Sequence, residues 1–173
     1  MLQLLSGRRK VIQSGTLAYT FGGLGVVSVP VAIAGVSNVS RVVERLLGYT
    51  FNANEYYDVA IQLVSPTQLM VHMRANSAGT ITVDWDVVAS DGVVQRGYVS
   101  MTTAVAATAN ISPVDVSRAK AHNNGIYLVS PGVNLGGYKT NSRVKVIDPV
   151  TVQINRSAVN TNNESRLYYA VEA

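Results

Sequence analysis

The feature that most constrains this chain is that its second half echoes its first. The run Val11-Ile12-Gln13-Ser14-Gly15-Thr16-Leu17 returns 82 positions later as Val93-Val94-Gln95-Arg96-Gly97-Tyr98-Val99. Asn38-Val39-Ser40-Arg41-Val42 returns after 77 positions as Asp115-Val116-Ser117-Arg118-Ala119. Ile61-Gln62-Leu63-Val64-Ser65-Pro66 returns after 83 as Val144-Lys145-Val146-Ile147-Asp148-Pro149, and Asp84-Trp85-Asp86-Val87 lies over Tyr168-Tyr169-Ala170-Val171 at an offset of 84. The order is kept throughout. The offset drops from 82 to 77 across Gly22-Gly23 and Gly25, where a longer hairpin loop in the first copy is easily accommodated. One supersecondary plan used twice is the natural reading of such a repeat. The boundary falls at the polar turn Ala89-Ser90-Asp91-Gly92. The domains expected are therefore an arm (residues 1–10) and two modules (11–88 and 92–173).

Within each copy the apolar residues recur with period two. Ile61 and Leu63, then Leu69, Val71 and Met73, alternate with Gln62, Gln68, Met70 and His72. Val144, Val146, Val152 and Ile154 alternate with Lys145, Thr151 and Gln153 in the same way. Such alternation marks strands with one face buried, and Pro66 and Pro149 interrupt both runs as proline does at bends and edges. The fold class expected is all-β: two tandem antiparallel β-sandwich modules, Ig-like or jelly-roll-like. One segment departs from this pattern. Val39, Val42, Val43, Leu46 and Leu47 recur at helical spacing between Asn38, a natural N-cap, and Gly48. They predict a short helix in the first copy. In the second copy the stretch from Asp115 predicts a single helical turn running into a polar loop, His122-Asn123-Asn124-Gly125.

Composition narrows the function. The chain is 47% hydrophobic and 14% charged, far from the composition of disordered chains. A surface so poor in charge suits one covered by partner subunits. There are no cysteines, which excludes disulfides, thiolate metal sites and cysteine nucleophiles. Part of the net charge of +4 is concentrated at Arg8, Arg9 and Lys10, a short basic arm that reads first as a solvated face and otherwise suits nucleic acid or an acidic protein surface. The apolar stretch 24–36 is too short to span a membrane and reads as a buried strand pair.

A search for chemistry along the chain returns little. His72 and His122 stand fifty positions apart with no co-ligand spacing, and His72 lies on the face of its strand away from Leu69, Val71 and Met73, a place for a solvent or interface histidine. Asp84 and Asp86 flank Trp85 and share a strand face, which predicts a solvated face with the indole in the core. Gly22-Gly23-Leu24-Gly25 lacks the Lys-Ser/Thr of a phosphate cradle. Catalytic, cofactor-binding and metal residues are accordingly expected to be none. Tyrosine, with an apolar ring and a polar tip, serves interfaces well. The candidate interface residues are thus Tyr49, Tyr56, Tyr57, Tyr127 and Tyr138, together with the basic arm.

The order of short motifs in the second half carries a resemblance. Val94-Gln95-Arg96-Gly97 is followed by Pro113-Val114-Asp115-Val116-Ser117-Arg118-Ala119, and the chain closes on Tyr169-Ala170-Val171-Glu172. This succession is similar to a module of tailed-bacteriophage virion proteins, which opens on a Val-Gln-Arg-Gly-like strand, passes a Pro-Val-Asp-x-Ser-Lys-Ala-like turn, and ends in a Tyr-x-Val-Val-Glu-like strand. The resemblance covers most of residues 93–173 and reaches the first half only weakly, through the repeat. Arg118 stands where the pattern has Lys, and Ala170 and Ala173 depart from the terminal strand. It implies a non-enzymatic structural protein of the virion, with a capsid decoration or head-associated role first and a tail or neck accessory, or receptor- or glycan-binding, role as the alternative. The partners expected are the major capsid protein or other virion proteins and further copies of the chain in a trimer or ring, with no cofactor, no membrane and no specific nucleic acid.

Overall fold

In the structure, a computed structural model, the described residues are 10–52, 57–129, 142–156 and 164–173. The period-two runs become strands. In the first half these are β1 (Val11–Phe21), β2 (Gly25–Ala32), β3 (Val42–Phe51), β4 (Tyr57–Ser65), β5 (Gln68–Ala75) and β6 (Gly79–Ala89). In the second half they are β7 (Val94–Met101), β8 (Ala106–Asn110), β9 (Lys120–Leu128), β10 (Ser142–Asp148), β11 (Thr151–Arg156) and β12 (Ser165–Glu172). Three antiparallel sheets result, ordered β1-β6-β3, β10-β11-β8 and β2-β5-β4-β9-β12-β7.

The two halves share one topology. Adding six to each strand number turns β1-β6-β3 into β7-β12-β9, and β2-β5-β4 into β8-β11-β10. Each half is a hairpin rolled on itself, first strand beside sixth and second beside fifth, in jelly-roll fashion. The irregularities correspond as well. The β3–β6 register slips between Leu46 and Gly48, and the β9–β12 register slips opposite the equivalent stretch, between Asn123 and Ile126. The β4–β5 ladder slips between Leu63 and Ser65, and the β10–β11 ladder between Val146 and Asp148. Bulges of this kind bend a strand and raise its local twist. The side chain of Gln13 accepts from the Ala34 N–H at 2.6 Å, and that of Gln95 accepts from the Ser112 N–H at the same distance. Asn38 and Asp115 each accept from the N–H and hydroxyl of the serine two residues on. Gly15 faces Trp85 across β1 and β6, and Gly97 faces Tyr169 across β7 and β12; a Cβ at either glycine would come within 2.5 and 2.6 Å of the aromatic side chain. A bare backbone opposite a large ring is part of both cores.

The predicted helix is absent. Val39–Arg41 makes one 3-10 turn capped by Asn38, and Val42 then enters β3 in extended conformation. The reason lies in burial on both faces. Val42 belongs to the core of the first half, while Val43 packs with Val88, Val94 and Ala170 against the second half. A strand buried on two sides reads as a continuous apolar run, which periodicity alone cannot tell from a helix. The turn expected at Asp115 is present, its carbonyl accepting from the Arg118 and Ala119 N–H groups. The polar loop expected at His122–Gly125 is instead part of β9. Stretch 24–36 forms one edge strand, β2, with Pro30 exposed on it, not a strand pair; the Gly22-Gly23 turn carries the chain from one layer to the other and closes no hairpin.

Each half fills its own core. The first holds Ile61, Leu69, Val71, Met73, Ile81, Val83 and Trp85, and the second Val152, Ile154, Leu167, Tyr169 and Val171. The two are not separate bodies, because the six-stranded sheet runs through both.

Candidate functional site at the seam between the modules

β4 of the first module pairs with β9 of the second through Val59 opposite Ile126 and Ala60 opposite Gly125. Opposed residues of an antiparallel pair point to the same face. Val59 lies in the first core and Ile126 in the second, so both three-stranded sheets sit on one side of the six-stranded sheet. At this closed seam Gly125 adopts φ +99, and a Cβ there would lie 2.2 Å from the Val59 carbonyl oxygen. Only glycine fits.

Buried polar groups lock the same junction. Glu44 of β3 is fully buried. Arg96 of β7 donates to its carboxylate at 2.7 Å, Asn124 of β9 donates to its other oxygen at 3.0 Å, and Arg96 also donates to the Val39 and Val42 carbonyls. Burial pushes the Glu44 carboxyl above its ordinary range, outweighing the opposing pull of Arg96. Nearby, Ser90 donates to Glu172 at 2.9 Å, and His122 Nε2 stands 3.4 Å from the same carboxylate. These four hydrogen bonds around Glu44 and Arg96 all join residues of opposite halves.

On the outer face of the six-stranded sheet, His72 of β5 stacks against both Tyr127 of β9 and Tyr168 of β12, with ring centroids 4.9 and 4.8 Å away, and the two tyrosine rings lie 6.0 Å from each other. Ser28 Oγ lies 2.7 Å from His72 Nδ1. Burial, reinforced by the Arg166 charge, lowers the His72 pKa to about 4. Tyr98, half exposed, continues the row beside Tyr168, and the Arg166 guanidinium lies over its ring at 5.1 Å.

The strand correspondence makes a second seam visible. The partner of the β4–β9 contact under the exchange of halves is a β10–β3 contact, with Ser142 opposite Tyr49 and Arg143 opposite Gly48. These strands do not pair: among the described residues β3 pairs with β6 alone and β10 with β11 alone, while the Ser142 carbonyl and hydroxyl of β10 accept from the Asn123 side chain of β9 at 2.9 and 2.8 Å. Instead residues 46–49 of β3 and Ser142 of β10 wall a groove of about 410 Å³, floored by Asn123, Gly125 and Ile126 of β9. A second cleft, of about 490 Å³, lies at the other end of the junction between Arg41 and Arg118, which occupy equivalent places in the two modules; Lys120, Asp91, Asp115 and Glu172 also line it.

The sequence-derived candidates are scattered over this framework. Tyr49 and Tyr57 meet edge to face at 5.4 Å, with Tyr49 exposed beside the open groove. Tyr127 is a correction: it is buried in the His72 stack, inside the molecule's own junction and unavailable to a partner. Lys10 is exposed, its carbonyl accepting from the Ala89 N–H at 2.9 Å. Arg8, Arg9, Tyr56 and Tyr138 lie outside the described residues. Trp85 is in the core as expected, but only Asp84 of the flanking pair is solvated; Asp86 is buried against Arg45. His72 is a correction too: expected as a solvent or interface histidine, it is buried within the chain against Tyr127 and Tyr168. Sequence reasoning missed Glu44, Arg96 and Asn124, and the one available signal was an acidic residue inside an apolar run. Among the described residues no helix is long and apolar enough to cross a membrane. No family model, curated protein or solved structure matches the chain.

Proposed function

We propose that this chain is a non-enzymatic structural subunit of a tailed-phage virion, mounted on the head as a capsid decoration protein, and that its modules descend from one duplicated unit. The observation that carries the structural role is where the molecule spends its polar and apolar groups. The buried carboxylate of Glu44 and its half-buried partner Arg96 hold one module to the other. Large apolar side chains lie exposed along strands and turns of both modules, among them Val11, Ile12, Leu47, Val64, Tyr98 and Ile147. Single exposed apolar residues are ordinary, but their recurrence on strands at sheet margins suits a subunit that lies against neighbours. The equal strand order of the halves supports duplication, and the motif order of residues 93–173 supports the virion context.

The test is to locate the protein in intact particles by electron microscopy. Density for two six-stranded rolls on the head surface is the expected result. Density at the neck or tail would move the protein to the accessory role, and absence from particles would overturn the reading. A glycan-binding role predicts sugar binding by the isolated protein that is lost on Tyr49→Ala.

A further inference from the structure

The two seams between the modules are counterparts, yet only one is closed. At the closed seam, β4 presents Val59 and Ala60, both fully buried, to β9. The matching positions on β10 are Ser142 and Arg143, and Arg143 is exposed. A charge on an edge strand disfavours pairing. Among the described residues, what remains is a slot with a strand on each side whose facing edge joins no other strand, the Ser142 carbonyl on the β10 side accepting from the Asn123 side chain. Its β3 wall carries Leu47, 56% exposed, and Tyr49, 38% exposed; its floor at Gly125 has no side chain; none of the described residues that line it is charged.

A slot between two facing edges fits one kind of occupant, an extended segment that hydrogen-bonds on both sides and places alternate side chains inward. We propose that the open seam receives residues 2–6 of a second copy of this chain as an added strand, completing a continuous layer from β1 through β6, β3, the guest, β10 and β11 to β8. Leu2-Gln3-Leu4-Leu5-Ser6 is uncharged like the slot, and Leu2 and Leu4 share the face that would meet its floor. The arm leaves from Lys10, whose carbonyl is bonded to Ala89 at the start of β1. That start lies on the far margin of the β1-β6-β3 sheet, with β6 and β3 between it and the molecule's own seam. A neighbour's seam needs no such crossing. Arm into seam is a head-to-tail contact, which closes into a ring or runs on as a filament. This deepens the assembly reading by naming the surface that receives the arm.

The experiment compares the full chain, a variant lacking residues 2–9, and Leu47→Asp, by sedimentation over a range of concentrations, and titrates a labelled peptide of residues 1–10 into the deletion variant. Leu47 is exposed, so Leu47→Asp leaves the fold intact, checked by circular dichroism. The expected result is concentration-dependent association of the full chain, weakened about tenfold or more by the deletion and by Leu47→Asp alike. The peptide binds the deletion variant and binds it about tenfold less tightly, or worse, once Leu47→Asp is added. A monomeric full chain, association unchanged by the deletion, or peptide binding indifferent to Leu47→Asp would each overturn the proposal. A monomer whose arm is protected from protease would also overturn it, by showing the molecule's own arm in the seam. Failure here leaves particle incorporation standing as a separate question, and absence from particles leaves arm-and-seam association standing.

Discussion

Acid is expected to destabilise this protein through His72. Burial against Tyr127 and Tyr168, reinforced by the Arg166 charge, lowers its pKa from 6.5 to about 4. In the unfolded chain it takes up a proton as the pH falls through 6.5, while in the folded chain it does so only near 4. Stability is therefore whole above 6.5, declines between the two values, and stops declining below the folded one. At 1.36 kcal/mol per unit, the shift corresponds to about 3 kcal/mol across that window. Ser28, at the outer end of the stack, is exposed, so water reaches and screens the site, and about half that figure is expected. Urea unfolding at pH 7 and again near pH 4.5, on the wild type and on His72→Phe, measures it. Phenylalanine keeps the stacked ring and removes the proton. The carboxyls of Asp115 and Glu164, held below their usual range by hydrogen bonds from Ser117 and from Ser100 and Arg166, add their own acid sensitivity to both proteins and cancel in the comparison. The wild type should lose about 1.5 kcal/mol more than the variant between the two pH values. Equal losses would refute the reasoning.

The two seams predict opposite fates for equivalent glycines. Gly125→Ala drives a Cβ to 2.2 Å from the Val59 carbonyl at φ +99 and should cost about 3 kcal/mol, whereas Gly48→Ala meets nothing within 4 Å and should stay within about 0.5 kcal/mol of wild type, both read from urea midpoints. Comparable losses at the two sites would show that the second seam is not open. Glu44→Leu strands Arg96 in the junction and should cost about 3–5 kcal/mol, while adding Arg96→Leu should restore part of the loss in a double-mutant cycle. A double variant as unstable as the sum of the singles would place the two residues in unconnected roles.

The strand plan was legible because its punctuation is local chemistry. Asn38 and Asp115 each close a turn on their own serine, and Pro66 and Pro149 sit in matching hairpins, so both fall at fixed places in the repeat. β3 was misread because its apolar residues serve two cores at once, Val42 inward and Val43 toward the other module, and no local signal reports a second partner. The Glu44–Arg96–Asn124 lock was invisible for a like reason: its members stand 52 and 80 positions from Glu44 and meet only when the halves dock. Tyr127 shows the converse error, a residue type suited to interfaces assigned to the wrong one.

What the repeat hides, its differences disclose. Two rolled modules of equal topology, set with their β3/β4-type margins together, could pair at both seams alike. Ala60, at 0% exposure, opposes Gly125 where the seam is shut; the residue in Ala60's place on β10 is Arg143, opposite the position of Gly48 where it is not. A guanidinium on an edge strand disfavours pairing there. Arg143→Ala should therefore begin to close the groove and weaken the capture of any guest strand, an effect opposite in origin to that of Leu47→Asp and separable from it by protection of the β3 and β10 amides from hydrogen exchange.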